Sequence, residues 1–167
     1  METNPPENQK NVAAAIHLST FLKYFFPFGN FIAPLIIWTT NKDKPFVHEH
    51  GREAINFQLS IFLYSLIIGL LCLPFFAFFA PDFIALIEVI DGHSHSVSID
   101  SWQSLSGYVS LFLTVAIILF GVLVFELYAV INATVHANRG EYYRYPLSIP
   151  FIKSTLVKNQ SENEHVS

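Results

Sequence analysis

The sequence is poor in charged residues, and this shortage limits the kind of protein that it encodes. Asp, Glu, Lys and Arg make up only 13% of the residues, whereas 52% are hydrophobic and 16% are aromatic. This composition lies well away from that of soluble globular proteins. The net charge of -4 also leaves no basic stripe for nucleic acid, so we expect no nucleic-acid partner. The surplus apolar surface requires a lipid bilayer.

Cysteine and catalytic motifs are scarce as well. The single cysteine, Cys72, lies in an apolar run and cannot form an intrachain disulfide. The sequence contains no nucleophile elbow, no phosphate-binding glycine loop and no zinc-protease HExxH motif. The HEH run at His48–His50 and the HSH run at His93–His95 both lack the second pair of ligands that a zinc site needs. We therefore predict that the protein is not an enzyme and holds no cofactor or metal.

Nearly uncharged apolar runs alternate with polar segments, a pattern typical of membrane spans between aqueous loops. A transmembrane helix needs about 20 mainly apolar residues to cross about 30 Å of hydrocarbon. Ile55–Ala80 and Leu105–Ala137 meet this requirement. The region Val12–Trp38 is broken at Pro27–Asn30, which predicts either one broken span or, as we favour, a tight hairpin of two short helices. The predicted fold is an all-α, polytopic transmembrane helical bundle with three spans or four membrane helices.

The polar segments divide the chain and orient it. We predict a polar N-terminal segment at 1–11, a transmembrane helical domain at 12–153 and a disordered cytoplasmic tail at 154–167. Lys and Arg favour the cytoplasmic side of a membrane, and they occur in Asn41–Glu53 and in the C-terminal region but not in Pro81–Ser104. We therefore expect a bacterial inner-membrane protein with the basic loops and the C-terminus in the cytoplasm. The side of the N-terminus depends on whether the first region is a hairpin.

Polar residues within the apolar regions are the candidate functional residues, because polar groups are costly inside a membrane. At about 100° per residue, Glu49, Glu53, Asn56 and Ser60 share one narrow face, which should meet protein or water rather than lipid. This face predicts either hydrogen bonds to neighbouring helices or a polar cytoplasmic vestibule. The full set of candidates is His17, Glu49, His50, Glu53, Asn56, Glu126, Asn132 and His136.

Glu126 is predicted to lie deep in the bilayer. An isolated carboxylate at that depth must take up a proton or find a partner, and Lys23 and His17 are the partners at a similar depth. The alternatives are a proton- or cation-linked site and a buried structural pair. Asn132 and His136 share a face of the last long helix with small and hydroxylated residues, which favours helix packing over ligand binding.

Three runs of the sequence resemble a known family. They are PFGNFIAPLIIW at Pro27–Trp38, KPFVHEHGREAINFQLSIFLY at Lys44–Tyr64 and HANRGEYYRYPLSIPFI at His136–Ile152. They resemble a widespread bacterial family of small membrane proteins of unknown function, similar to the twenty-kilodalton inner-envelope component of the chloroplast protein-import translocon (Tic-twenty-like). The resemblance covers about Asn11 to Lys153 and implies a translocon-like subunit rather than a catalyst. It assigns no role to the individual motif residues.

The two basic segments are predicted to face each other in the cytoplasm, with Glu49 or Glu53 pairing with Arg139 or Arg144. The leading function is that of a structural or interaction component of the inner membrane, linked to protein translocation or envelope assembly. Its partners would be other membrane proteins or a second copy of the chain. The alternative is a small oligomeric transporter or channel that uses intramembrane polar residues such as Glu126.

Overall fold

The structure is a computed structural model that describes residues 4–90 and 99–153. Within these residues it contains helices, turns and an irregular C-terminal segment but no strand, so the predicted all-α class is confirmed. The helices are α1 (Glu7–Ser19), a 3-10 helix that follows it directly (Thr20–Tyr24), α2 (Gly29–Thr39), α3 (Pro45–Ile90) and α4 (Ile99–Arg139). The predicted tail at 154–167 and the HSH run lie outside the described residues.

Helices α3 and α4 contain the two stretches that are long and apolar enough to cross a membrane. These stretches are Pro45–Phe78 and Val109–Arg139, with mean hydropathy of 2.4 and 2.5 in their most apolar windows. Those windows are 0% and 6% buried within the protein, whereas the core helix of a soluble protein would be covered by its neighbours. Their apolar surface therefore requires lipid.

Helix occupies much of the segment that we predicted as the external loop Pro81–Ser104. Helix α3 continues through Pro74 and Pro81 to Ile90, and α4 begins at Ile99. That segment was predicted from its polar residues and its lack of Lys and Arg, which do not exclude helix, and proline inside an apolar helix is tolerated where the neighbouring backbone groups are satisfied. The loop was therefore predicted too long at both ends.

The first hydrophobic region forms a hairpin of two helical arms, as we favoured over a single broken span. The first arm is α1 with the 3-10 helix, and the second arm is α2. Phe28 adopts a left-handed conformation, with φ of 61°, and reverses the chain at the start of α2. Gly29 follows it because a Cβ atom there would lie 2.6 Å from the backbone carbonyl of Leu22. The backbones of the two arms thus meet at a glycine.

The described residues form two compact units. The first unit combines the chain up to Phe62 with the chain from Phe125 onward, and the second comprises Leu63–Val124. Small side chains dominate the core of the first unit, which allows its helices to approach closely. This core contains Ala13, Ala14, Ile16, Phe46, Val47, Ala54 and Ala137.

A glycine ends α4 and turns the chain back toward the core of the first unit. Gly140 has φ of +79°; its N–H donates to the carbonyl of Ala137 at 3.0 Å, and the N–H of Glu141 donates to the carbonyl of His136 at 2.9 Å. These two bonds are those of a Schellman motif, which satisfies the last carbonyls of a helix. The irregular segment Gly140–Lys153, called the C-terminal segment below, starts at this turn.

Gly51 marks the place where α2 packs against α3. A Cβ atom on Gly51 would lie 2.3 Å from Cγ of Trp38, so the indole occupies the space that a side chain would fill. The indole N–H of Trp38 donates to Nδ1 of His48 at 3.2 Å. The hairpin is therefore attached to α3 by ring packing and by a hydrogen bond.

Replacing Gly51 by alanine should destabilise the protein because the new methyl group must displace the Trp38 ring. Overpacking of this kind costs about 1–3 kcal/mol, and we expect a lower unfolding midpoint in detergent. Gly69→Ala is the matched control in the same helix, since a Cβ atom on Gly69 would meet no other atom within 4 Å and alanine favours helix by about 0.5–1 kcal/mol. Equal midpoints for the two variants would contradict the packing described here.

Candidate functional site

A chain of three buried aromatic side chains lies at the centre of the first unit. The hydroxyl of Tyr145 is 2.8 Å from Nδ1 of His17, and Nε2 of His17 is 2.8 Å from Nδ1 of His50. His17 is fully buried, and His50 and Tyr145 are only 1% and 3% exposed. Because the three residues belong to the C-terminal segment, α1 and α3, the chain joins three separate parts of the sequence.

Burial keeps the Tyr145 phenol protonated, because it raises the pKa of the hydroxyl well above the usual value of 10.0. A protonated hydroxyl and a neutral imidazole can each donate and accept. The two histidines can therefore share protons along both hydrogen bonds, with the tautomer of one ring setting that of the other.

Aromatic rings enclose the hydrogen-bonded side chains of Tyr145, His17 and His50. Tyr145 stacks on Phe57, with ring centroids 4.1 Å apart and an interplanar angle of 9°. Phe46 packs against His50 with centroids 4.5 Å apart. Rings of this size exclude water from the hydrogen bonds, which strengthens them and increases the cost of breaking them.

A second polar chain ties the hairpin to both long helices. The ammonium group of Lys23 forms an ion pair with Oε2 of Glu126. The amide of Gln58 donates to Oε1 of Glu126 at 3.0 Å, and the amide of Asn30 donates to Oε1 of Gln58 at 2.8 Å. Both oxygens of the Glu126 carboxylate therefore have partners. The sequence analysis named Lys23 and His17 as possible partners of Glu126, and the structure pairs it with Lys23.

A third set of contacts holds the C-terminal segment against the polar face of α3. The side-chain amide of Asn56 donates to the carbonyl of Ile152 at 2.9 Å and accepts from its N–H at 2.8 Å. Ser60 accepts from the N–H of Ile149 at 2.8 Å, and Arg52 donates to the carbonyl of Ile152 at 3.2 Å. The polar face of α3 therefore binds backbone groups of the C-terminal segment through its side chains.

The carboxylates of Glu49 and Glu53 both pair with Arg52. Its Nη2 lies 2.6 Å from Oε2 of Glu49 and 2.8 Å from Oε1 of Glu53. All three side chains are buried, and the two carboxylates share the single positive charge of Arg52. Arg52 is thus a partner of both carboxylates that the sequence analysis did not name. Arg139 and Arg144 have exposed side chains, and their pairing with Glu49 or Glu53 stays a prediction.

Two predicted site residues, His136 and Asn132, take no part in the hydrogen bonds of these networks, although His136 packs on Tyr143, which contacts Tyr145. His136 is half-buried near the end of α4, where its Nδ1 is 2.8 Å from the carbonyl of Asn132 and its Nε2 is 3.8 Å from the carboxylate of Glu141. Asn132 is partly exposed.

The transport hypothesis requires Glu126, His17 and Asn132 to meet at one site. His17 instead bonds to Tyr145 and His50, and Glu126 bonds to Lys23 and Gln58, so no hydrogen bond among the described residues joins these three side chains.

No group of three His, Cys, Asp or Glu side chains within residues 4–90 and 99–153 is placed to hold a metal ion. The HEH run is occupied by other contacts, because His48 accepts from Trp38 and His50 belongs to the buried aromatic chain. The absence of a resident metal or cofactor stays a prediction.

Tyr145, Gln58 and Asn30 are the site residues to which the sequence assigned no role. Gln58 and Asn30 are polar residues within apolar runs, and that signal could have predicted buried partners for them. Tyr145 gave no such signal, since its contact with His17 spans 128 positions of the chain and depends on the turn at Gly140.

A family model described as the magnetosome magnetite crystal formation protein family matches residues 8–152. This range contains all three polar networks. The chain belongs to this family. Searches of curated proteins and of solved structures each gave no match.

Membership of the magnetosome family corrects the resemblance drawn from the sequence. The runs at Pro27–Trp38, Lys44–Tyr64 and His136–Ile152 all lie within the matched range, so they belong to a magnetite formation family and not to a Tic-twenty-like one. The predicted link to protein translocation rested on that resemblance and is wrong. The membrane character that we predicted is consistent with this family and with the two long apolar helices.

Breaking the ion pair between Lys23 and Glu126 should destabilise the first unit. We expect Lys23→Gln and Glu126→Gln each to lower the free energy of unfolding by about 1–3 kcal/mol, because each leaves the other charge without its partner. The double variant should lose less than the sum of the two, with a coupling of about 0.5–3 kcal/mol.

The measurement is a double-mutant cycle of unfolding in detergent, with the exposed Lys42→Gln as the control for loss of a surface cation. Losses that simply add in the double variant would show that the two charges do not interact.

Proposed function

We propose that this protein is a non-enzymatic structural or interaction component of the magnetosome membrane and acts in the formation of magnetite crystals. The observation that carries this proposal is the family match across residues 8–152, which covers the hairpin, both long helices and the C-terminal segment. The candidate polar residues in the first unit support a structural role because most of them have partners within the protein. A structural protein requires only that its buried polar groups have partners, whereas a catalyst requires polar groups that are accessible to substrate.

The proposed topology has two membrane spans, in α3 and α4, with both termini on one side. The hairpin supports it because α2 returns the chain to the side from which α1 enters. The turn at Thr40–Lys44 then lies on the same side as the end of α4. Lys42, Lys44 and the basic residues of the C-terminal region give this side its positive charge, which favours the cytoplasm.

Transport is the second candidate function, and the geometry supports it less than it supports a structural role. A carboxylate that carries protons or cations must exchange partners with water during each cycle. Both oxygens of Glu126 are instead engaged by Lys23 and Gln58, and 2% of the residue is exposed. This arrangement favours a structural pair over a transport site.

Loss of the protein should change the size or shape of magnetite crystals. The test is deletion of the gene from the magnetosome-forming bacterium that carries it, with crystal dimensions measured by electron microscopy. A fluorescent fusion should locate the protein at the magnetosome membrane, and the wild-type gene should restore the crystals. Unchanged crystals, or a protein absent from that membrane, would contradict the proposal.

Flux measurements separate the scaffold from the transporter. The purified protein is reconstituted in proteoliposomes, and proton and monovalent-cation flux are compared between the wild type and Glu126→Gln. The scaffold predicts equal flux in both, at the level of protein-free vesicles. Flux that disappears in the variant would favour transport and make Glu126 its central residue.

A further inference from the structure

The turn between the two arms of the hairpin presents an unusual concentration of exposed aromatic side chains. Tyr24, Phe25, Phe26 and Phe28 are 53%, 83%, 41% and 65% exposed; the segment Tyr24–Phe28 is called the aromatic tip below. Burying one phenylalanine side chain is worth about 1.5–3 kcal/mol. Three neighbouring phenylalanines held in water would therefore be unfavourable, and the tip requires an apolar environment.

The surface of α2 continues the apolar character of the tip. Ile32, Leu35 and Ile36 are exposed along this helix, which ends at the polar turn of Thr40–Lys44. Exposed apolar side chains therefore follow the tip along α2 as far as Ile36. A ligand pocket or a small docking site would not need an apolar surface of this length, whereas lipid acyl chains cover such a surface.

The length of α2 sets how far the tip reaches. Its 11 residues correspond to about 16 Å at 1.5 Å per residue. The hydrocarbon core of a bilayer is about 30 Å thick. With the Thr40–Lys44 turn at the membrane surface, the tip therefore ends about halfway across.

The hairpin also carries little charge, as an acyl-chain environment requires. Lys23 is the one Asp, Glu, Lys or Arg residue in Val12–Trp38, and its charge is compensated by Glu126. Its ammonium group lies 5.3 Å from the centroid of the Tyr24 ring. No isolated charge therefore opposes insertion of the tip.

Three backbone donors of the turn have local partners. The N–H groups of Phe25 and Phe26 donate to the carbonyl of Leu22 at 3.0 and 3.1 Å, and the N–H of Gly29 donates to the carbonyl of Phe26 at 3.2 Å. Backbone groups at membrane depth need such partners because lipid offers none. These three bonds lower the cost of placing the turn in hydrocarbon.

We propose that the aromatic tip is a lipid-binding wedge that inserts among the acyl chains of one leaflet and ends near the bilayer midplane. The occupant of its surface is the acyl chains of the leaflet that faces the Thr40–Lys44 turn. This inference rests on the proposed topology, in which the hairpin enters and leaves the membrane on one side. It adds to that topology a defined depth and a defined lipid contact for Tyr24–Phe28.

The test places one fluorescent label at the tip of the full-length protein. Cys72→Ser removes the single native cysteine, and Phe25→Cys provides the site for an environment-sensitive fluorophore. Thr40→Cys is the matched control, since Thr40 is exposed and lies at the other end of α2. Both labelled proteins are reconstituted in phosphatidylcholine vesicles that carry nitroxide quenchers at shallow or deep positions of the acyl chain, with iodide as the aqueous quencher.

The wedge predicts that deep nitroxides quench the Phe25 label several-fold more than iodide does, and that iodide quenches the Thr40 label more. Strong iodide quenching at Phe25, or quenching by neither agent, would overturn the wedge, because the tip would then lie in water or under protein. An impermeant thiol reagent distinguishes an error in the proposed topology from an error in the depth of the tip alone. Reaction of unlabelled Phe25→Cys from the face opposite to Thr40→Cys would show that the hairpin crosses the membrane, and both proposals would fail.

Discussion

The hydrogen bond between Tyr145 and His17 is the contact on which the arrangement of the first unit depends. It joins α1 to the C-terminal segment, although both long helices lie between these two parts in the sequence. His17 also forms a hydrogen bond with His50 in α3. A buried polar group that loses its partner costs about 1–3 kcal/mol, so these residues stabilise one another only as a set. The turn at Gly140 and the packing of Tyr145 on Phe57 bring the phenol to the position where this set can close.

The same principle explains the polar residues that interrupt the apolar runs. In a membrane protein, hydrogen bonds and close packing replace the hydrophobic effect as the force that holds helices together. Lys23, Glu126 and Gln58 join the hairpin to both long helices, and Asn56 and Ser60 hold the C-terminal segment by its backbone. A scaffold for a mineral-forming membrane would gain from such ties, because they give a small chain a defined surface on which partners or lipid can assemble.

The sequence predicted those features that depend on local pattern. The apolar runs predicted both long helices, the turn chemistry at Pro27–Asn30 predicted the hairpin, and helical spacing placed Glu49, Glu53, Asn56 and Ser60 on one face. A contact set by chain reversal was not predictable: Tyr145 reaches His17 only because Gly140 turns the chain. The pairing of Arg52 with Glu49 and Glu53 is local to α3, and the sequence analysis missed it because it sought the partners of these carboxylates in another segment. The resemblance to a translocon component rested on short runs, and no physical argument from their residues could decide which family they belong to.

Hydrogen exchange of the reconstituted protein tests most directly whether the C-terminal segment is held against α3. The amides of Ile149 and Ile152 lie outside any helix, and they donate to side chains of α3. We expect both to exchange slowly, as buried helical amides do, and Asn56→Ala to accelerate exchange at Ile152. Exchange of both amides at the rate of an unstructured peptide would show that the segment is free, and the packing described for the first unit would be wrong.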